Sequence, residues 1–255
     1  MPNRLPLVAL ALAMTGCGPD GTTSPKYIGH GGMGAGAAFP MNSAEALIGG
    51  TVVGLDGIEL DVQLTADSVL VAYHAGSLAE LTACAGKVNA MTWEQLAGCP
   101  VRGEDDTDHA IVRVDALLAA SGGMELTLDV KLFAEGDWWP YLETFSDALV
   151  RLHRDRPGRI LVECQVDDFL RLLQRKDPSL RLYLYGTQAE AAIRRAATSH
   201  YAGITMDATG IDGEQVRTAR ELGLEVTLFN VHGWFGERPS CRAADRLQVD
   251  RIPGR

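Results

Sequence analysis

Two carboxylates lie two residues apart in an apolar segment of the chain. Glu59 and Asp61 belong to the sequence Gly-Ile-Glu-Leu-Asp-Val at 57–62. Side chains two apart on a strand project to the same face, so these negative charges repel each other inside a fold unless a cation neutralises them. Oxygen ligands of this kind suit a hard divalent cation. The pattern predicts a metal site, with a solvent-facing strand edge as the alternative.

A second pair of charges at the same spacing has opposite signs. Asp129 and Lys131 lie in the sequence Leu-Thr-Leu-Asp-Val-Lys at 126–131. Asp129 could complete a metal site, and Lys131 could hold a phosphate oxygen as a point charge. A buried ion pair between the two side chains explains the pattern equally well.

Two histidines end predicted strands on the carboxyl side, where barrel enzymes place their catalytic groups. They are His30, in Tyr-Ile-Gly-His-Gly-Gly, and His74, in Val-Leu-Val-Ala-Tyr-His. Because histidine titrates near neutral pH, a facing pair can supply one general base and one general acid. A structural role is the alternative for either histidine alone, and the neighbouring carboxylate pair favours catalysis.

The elements that must position these side chains alternate along the chain as short apolar segments and amphipathic segments. This alternation predicts parallel strands covered by helices, and eight strand candidates favour a closed α/β fold, a (β/α)8 TIM barrel, in one domain at 26–255. The strand candidates are 27–31, 57–64, 69–74, 124–132, 159–165, 181–185, 202–207 and 224–231. The helix candidates are 43–48, 112–120, 139–154, 167–175, 188–199 and 213–222.

Two irregularities interrupt this repeat. Residues 65–68 are too few for a helix between the second and third strand candidates. Either these strands are not a simple parallel pair or the barrel is distorted there. Residues 75–108 carry no strong period, and we expect them to form an insertion after the third strand.

The N-terminus resembles a bacterial lipoprotein export signal. Arg4 precedes an apolar run at 5–14, and Met-Thr-Gly-Cys at 14–17 resembles a lipobox, in which Cys17 becomes lipidated. An ordinary signal peptide cut nearby is the alternative. We expect a signal peptide at 1–16, a tether at 17–25, and a lipid anchor on the periplasmic or cell-surface side of a bacterial membrane.

Export also permits disulfides, which the cytosol would reduce. Cys84 and Cys99 close a short loop in the insertion and are predicted to pair. Cys164 is either a buried free thiol or the partner of Cys241.

The charge balance restricts the partners. A formal net charge of −10 argues against a nucleic-acid surface, which needs clustered Lys and Arg. A phosphate substrate would then need a locally positive site. A bound cation can supply that charge in an acidic protein.

Several segments of the chain resemble the glycerophosphodiester phosphodiesterase family. The family's His-Arg-Gly, Pro-Glu-Asn-Thr, Glu-Leu-Asp-Val and His-Asp motifs correspond here to His30-Gly31-Gly32, Pro40-Met41-Asn42-Ser43, Glu59-Leu60-Asp61-Val62 and His74-Ala75. Weaker similarity lies at 128–131 to a Glu-x-Lys strand, at 226–230 to a strand ending in Asn, and at 249–253 to a closing Thr-Asp-x-Pro segment.

The resemblance implies a metal-dependent enzyme that cleaves a glycerophosphodiester, a small-molecule lipid head group, into an alcohol and glycerol phosphate. The attacking oxygen belongs to water or to the substrate's own hydroxyl. A related barrel phospholipase acting on intact lipids and a catalytically weak binding protein are the alternatives. The implied site residues are Glu59, Asp61 and Asp129 for one divalent cation, Mg²⁺ or Ca²⁺, His30 and His74 for proton transfer, and Lys131 for phosphate.

Three residues depart from the family pattern. Gly31 replaces Arg, Met41 replaces Glu, and Ala75 replaces Asp. Losing Arg removes a bidentate phosphate donor, and losing the nearby Glu removes its partner, so these two changes could compensate each other. Weaker candidates for the mouth of the barrel are Glu163, Tyr183, Tyr185, Asp207, Asn230, Trp138 and Trp139.

Overall fold

A computed structural model describes the chain at residues 24–34, 38–104, 106–231 and 238–251. The expected signal peptide, Cys17, most of the tether and residues 252–253 of the closing motif lie outside these ranges. The strands are β1 (Lys26–Gly29), β2 (Gly57–Leu64), β3 (Leu70–Ala72), β4 (Val101–Arg102), β5 (Asp108–His109), β6 (Val112–Arg113), β7 (Glu125–Val130), β8 (Ile160–Cys164), β9 (Arg181–Gly186), β10 (Gly203–Asp207), β11 (Glu225–Val231) and β12 (Arg246–Val249). The α-helices are α1 (Ala44–Val52), α2 (Trp93–Leu96), α3 (Val114–Ala120), α4 (Trp138–Asp155), α5 (Asp167–Lys176), α6 (Ala189–Ser199), α7 (Gly213–Glu221) and α8 (Pro239–Ala243).

Eight parallel strands close into a barrel. Hydrogen bonds join them in the order β1, β12, β11, β10, β9, β8, β7 and β2, and β1 also pairs with β2. Helices connect most successive strands and cover their outer faces. The predicted (β/α)8 TIM barrel is therefore confirmed.

One strand assignment was wrong. The candidate at 69–74 is the short strand β3, which pairs with β2 in the antiparallel direction and lies outside the barrel. A tight turn at 65–68 is long enough to join an antiparallel pair. The short join therefore exists because these two strands are not a parallel pair. The barrel strand that was not predicted is β12. Its sequence, Arg-Leu-Gln-Val, is short and half polar, and its polar side chains face the barrel interior.

The helices follow the predicted segments, with ends shifted by a few residues. In α4, the side chains of Leu142, Phe145, Leu149 and Leu152 are buried at alternating spacings of three and four residues. This spacing gives an amphipathic helix whose apolar face packs on the sheet. Among the described residues, no helix is both long and apolar enough to cross a membrane.

The insertion lies between the second and third strands of the barrel and forms its own small core. Buried side chains of β3 and the following segment pack together there, among them Tyr73, Leu78 and Leu96. The predicted disulfide between Cys84 and Cys99 closes this unit, whereas Cys164 and Cys241 are buried free thiols. The insertion is therefore a stapled unit above the barrel and not a loose loop.

The insertion is attached to the loop that follows β7. The Asn89 side chain donates to the Glu135 carbonyl oxygen at 2.9 Å and accepts from the Glu135 backbone N–H at 3.0 Å. The Lys87 ammonium also donates to the Ala134 carbonyl at 3.3 Å. These contacts fix one wall of the barrel mouth.

Ionic and aromatic side chains fill the opposite end of the barrel. Arg246 donates to Glu125 at 3.0 Å and to the Tyr183 hydroxyl at 2.8 Å, and it also pairs with Glu225. Arg181 donates to the second Glu125 oxygen at 2.7 Å. These residues begin or adjoin the amino ends of their strands, where side chains in barrels serve stability. Tyr183 was a candidate for the mouth, and its position at this end removes it from the site.

Candidate active site

Three carboxylates converge at the carboxyl ends of β2 and β7. Glu59 and Asp61 lie on β2, all of whose residues are buried, and Asp129 is the register partner of Asp61 on β7. One oxygen atom from each carboxylate lies within 4.8 Å of the others. The structure thus brings together the three residues predicted to bind a cation.

Lys131 lies across two of these carboxylates. Its ammonium is 2.6 Å from Asp129 Oδ2 and 3.0 Å from Asp61 Oδ1. Burial opposes the charged form, but the two carboxylates raise the pKa of Lys131 above its usual value. The ion pair expected as an alternative is therefore present, and it leaves one positive charge against three acidic groups.

The excess negative charge shifts the carboxyl pKa values. Burial and the charge of Asp61 raise the pKa of Glu59 well above its usual value. Burial also raises the pKa of Asp129, and Asp61 adds to this shift while Lys131 opposes it. Buried like charges with hard oxygen donors fit a divalent cation, which would hold all three groups in the charged form.

Asn42 fixes the orientation of Asp61. Its Nδ2 donates to Asp61 Oδ2 at 2.6 Å, and its Oδ1 accepts from the Asp61 backbone N–H at 2.9 Å. Asn42 has a φ of 65°, in the left-handed region that Asn tolerates better than most residues. Asn42 lies in the segment that resembles the family's Pro-Glu-Asn-Thr motif, and its role could not be predicted because its partner lies on another element, β2.

His30 follows β1 and is held by a carboxylate from the far end of the chain. His30 Nδ1 is hydrogen-bonded to Asp250 Oδ1 at 2.7 Å, which orients the ring. Burial lowers the pKa of His30, but the Asp250 bond and the charge of Glu59 raise it to about 9. Asp250 was noted only as part of the closing motif, and the pairing of β1 with β12 explains why the two residues meet.

His74 was predicted to end a barrel strand, but it reaches the site from the insertion, because β3 lies outside the barrel. His74 is exposed, and its charge opposes the rise in the pKa of Asp129, so it lies within electrostatic range of the cluster. Gln63 on β2 donates to the carbonyl oxygens of Tyr73 at 2.9 Å and Ala75 at 2.8 Å. These two bonds hold the backbone on either side of His74. Gln63 continues the alternation of Glu59 and Asp61, and this pattern could have identified it.

Two of the departures from the family pattern, Gly31 and Met41, are explained by their close contact. Gly31 has a φ of +58°, and a side-chain carbon there would lie 2.5 Å from Met41 Cβ. Met41 therefore occupies the space that a side chain at position 31 would enter. The backbone N–H of Gly31 donates to Glu59 Oε2 at 2.9 Å, so this loop still contacts the cluster.

Ala75, the third departure, is buried in the core of the insertion, where an aspartate would lose its hydration.

The remaining candidates divide between the interior and the rim. Glu163, the register partner of Asp129, is buried and accepts hydrogen bonds from Thr205 at 2.6 Å and Gln248 at 2.8 Å. Burial and the charge of Asp129 raise the pKa of Glu163 to about 7. These bonds give Glu163 an interior structural role beneath the cluster.

At the rim, Asn230 donates to Asp207 at 2.6 Å, and Tyr185 packs edge-on against Phe229 with ring centroids 5.0 Å apart. Trp138 and Trp139 are exposed at the start of α4. The rim is thus partly aromatic, whereas the centre is ionic.

Comparison with known sequences identifies a family. The sequence pattern of the Glycerophosphoryl diester phosphodiesterase family matches residues 33–251. An uncharacterised protein of Mycobacterium tuberculosis strain H37Rv is 40% identical over 104 residues, which are 38% of this chain and 33% of that protein. A similar protein of strain CDC 1551 is 40% identical over 97 residues, covering 35% of this chain and 31% of that protein. The chain thus spans about a third of the length of these curated relatives.

Solved structures share the fold over most of both chains. An Oleispira antarctica phosphodiesterase in complex with the product sn-glycerol-3-phosphate has a TM-score of 0.77 and 18% identity, covering 89% of this chain and 93% of that one. The glycerophosphoryl diester phosphodiesterase domain of the Mycobacterium tuberculosis protein has a TM-score of 0.71 and 22% identity, covering 89% and 96%. A glycerophosphodiester phosphodiesterase from Agrobacterium tumefaciens has a TM-score of 0.71 and 20% identity, also covering 89% and 96%.

The Asp250 contact predicts a pH effect on metal-free protein. Burial lowers the pKa of His30, but the Asp250 bond and the charges of Glu59, Asp250 and Asp61 raise it from 6.5 to about 9, so protonated His30 contributes stability that is complete below about pH 6.5 and is lost as the pH rises through 9. Asp250→Asn should lower this pKa and weaken the pH dependence of stability between these values. NMR titration of the histidine rings would measure the pKa of His30, and urea unfolding at both pH values would measure the free energy of unfolding. His153, paired with Asp177, is the internal control. An unchanged His30 pKa would refute the role of Asp250.

The Gln63 contacts predict a local change in dynamics. Gln63→Met keeps the side-chain length but removes both donors to the backbone around His74. Amide hydrogen exchange of the peptide spanning 70–76 should then accelerate by about tenfold or more. Gln174→Met is the matched control, because Gln174 also binds a backbone carbonyl, that of Ser199, but on the helical ring. Equal exchange at 70–76 in both variants would contradict the assignment.

Proposed function

The chain belongs to the glycerophosphoryl diester phosphodiesterase family, and we propose that it hydrolyses glycerophosphodiesters to an alcohol and glycerol phosphate. The observation that carries this proposal is the cluster of three buried carboxylates and Lys131 at the mouth of the barrel, with His30 and His74 beside it. This arrangement offers a cation site, a fixed positive charge and two proton-transfer groups in one place.

Glu59, Asp61 and Asp129 would hold one divalent cation, Mg²⁺ or Ca²⁺. When bound, the cation supplies positive charge that polarises a phosphoryl oxygen. Lys131 adds a second positive charge, whose position is set by Asp61 and Asp129. This charge favours binding of the phosphate and of the greater negative charge that develops during its cleavage.

The two histidines would move the protons. His30 uses Nδ1 to bind Asp250, so Nε2 is the nitrogen that exchanges a proton with the substrate. His74 is exposed and its backbone is held by Gln63, so its ring can reach the substrate from the insertion side. One histidine takes the proton of the attacking oxygen, and the other protonates the oxygen of the leaving alcohol. The attacking oxygen is that of water or of a substrate hydroxyl.

An activity on intact lipids is the second candidate, as for a related barrel phospholipase. It is favoured by the aromatic side chains that are exposed after β7, namely Phe133, Trp138 and Trp139. Such side chains suit a surface with an apolar interior and a polar boundary. Measuring the hydrolysis of phospholipid vesicles and of soluble diesters would distinguish the two candidates.

The resemblance of residues 14–17 to a lipobox supports a location on the cell envelope. Lipidation of Cys17 would attach the enzyme to a membrane surface through its N-terminus alone. The domain would then encounter head-group diesters outside the cytosol.

Activity measurements test the proposed reaction. We expect release of glycerol phosphate, or its cyclic form, from glycerophosphodiesters with Mg²⁺ or Ca²⁺, and loss of release with a chelator. His30→Ala and His74→Ala should each lower kcat by about 10²- to 10⁴-fold because general acid–base catalysis is removed. His200→Asn, an exposed histidine at the end of α6, is the control and should retain full activity. Full turnover in both alanine variants would reject the mechanism.

Fractionation tests the anchor. In a bacterial host, the full chain should sediment with membranes and incorporate labelled fatty acid, whereas Cys17→Ala should lose the label. Cys164→Ala, which removes a buried thiol, should leave the label unchanged. Equal labelling of wild type and Cys17→Ala would exclude this anchor.

A further inference from the structure

A cavity of about 480 Å³ opens beside the candidate active site, at the carboxyl ends of β8 and β9. We propose that it binds the alcohol group of the diester and selects a neutral polyhydroxy alcohol, such as inositol, glycerol or a sugar. This inference rests on the proposed function and specifies its substrate class. The volume lies in the range of small-molecule sites.

The position of the cavity connects it to the phosphate-binding residues. Tyr185 lines it and follows Leu184, the register partner of Cys164, so Tyr185 lies next to Gln165 at the ends of β8 and β9. Gln165 lines it as well. Because Asp129 and Glu163 are register partners, Lys131 and Gln165 follow at neighbouring positions beyond the strand ends. A phosphate held by Lys131 would therefore lie on the side of the barrel mouth where this cavity opens.

The lining is rich in neutral hydrogen-bonding groups. Gln165 and Gln188 offer carboxamides, Thr187 offers a hydroxyl, and all three are exposed. Gln188 is the N-cap residue of α6 but makes no side-chain cap hydrogen bond. Carboxamides and hydroxyls both donate and accept, as do the hydroxyls of a polyol. The ring of Tyr185, held edge-on by Phe229, adds an apolar face for the carbon skeleton.

A cationic alcohol such as choline does not match this lining. Quaternary ammonium groups are bound by several aromatic faces or by carboxylates. Among the described residues that line the cavity, Tyr185 is the aromatic side chain, none is acidic, and the charged one is Arg195. Arg195 is paired with Asp167, which also accepts from the Tyr201 hydroxyl at 2.8 Å. A cation in this cavity would therefore contact one aromatic side chain and no carboxylate of the lining.

A larger cavity of about 710 Å³ lies between α6 and α7, on the outer helical ring. Its lining includes Ile193, Arg194 and Leu222, and none of its residues belongs to the carboxylate cluster. Size alone would favour it as the substrate site. We assign the alcohol of the substrate to the smaller cavity because that cavity lies nearer to the groups that would bind phosphate.

The test compares four diesters of sn-glycerol 3-phosphate, carrying inositol, glycerol, choline or methyl as the second alcohol. With wild-type enzyme and Mg²⁺ or Ca²⁺, kcat/KM for the inositol and glycerol diesters should exceed that for the choline diester by about tenfold or more. Thr187→Val and Gln188→Met should each lower the ratio of kcat/KM for the inositol diester over the methyl diester by about fivefold, since each removes a hydrogen bond to the alcohol. Arg194→Gln, on the same helix but in the larger cavity, should leave this ratio unchanged.

The outcomes are distinguishable. If wild type cleaves none of the four diesters, the proposed function fails and this inference falls with it. If wild type cleaves the methyl diester but prefers choline to the polyols, the inference alone is overturned. An unchanged inositol-to-methyl ratio in both Thr187→Val and Gln188→Met would also overturn it.

Discussion

Three carboxylates buried within 4.8 Å of one another repel strongly, because little water is present to screen them. The surroundings of Glu59, Asp61 and Asp129 offset this repulsion in part. The Lys131 ammonium pairs with Asp61 and Asp129. The Asn42 carboxamide donates to Asp61, and the Gly31 backbone N–H donates to Glu59. The compensation is incomplete, since burial and the mutual repulsion of the carboxylates keep the pKa values of Glu59 and Asp129 raised. These three acidic groups make the mouth of the barrel a candidate cation site.

The histidines depend on the same cluster but reach it by different routes. His30 follows the first barrel strand and is oriented by the last, so closure of the barrel is required to set its ring. His74 belongs to the insertion, and Gln63 joins that insertion to the strand that carries two of the carboxylates. The proposed proton transfer thus relies both on the barrel and on a separately packed unit with its own core and disulfide.

Local patterns predicted much of this architecture. The alternation of apolar and polar residues at 57–62 and 126–131 identified Glu59, Asp61, Asp129 and Lys131, since strand geometry alone places such pairs on one face. Partners that depend on long-range pairing were missed. Asp250 meets His30 across 220 positions of sequence, and β12 was overlooked because its inward-facing polar residues hide its strand pattern. The direction of β3 was likewise left open, because a short join restricts orientation without fixing the partner.

The contact between Gly31 and Met41 also bears on how the family can diverge in sequence. Because Met41 fills the volume beside Gly31, the effect of a residue at one position depends on the residue at the other. A Cβ at position 31 would lie 2.5 Å from the Cβ of Met41, an atom that every residue except glycine carries. An arginine at position 31 therefore requires a shift of the backbone as well as a different side chain at position 41, so the free-energy effects of substitutions at the two positions should not add.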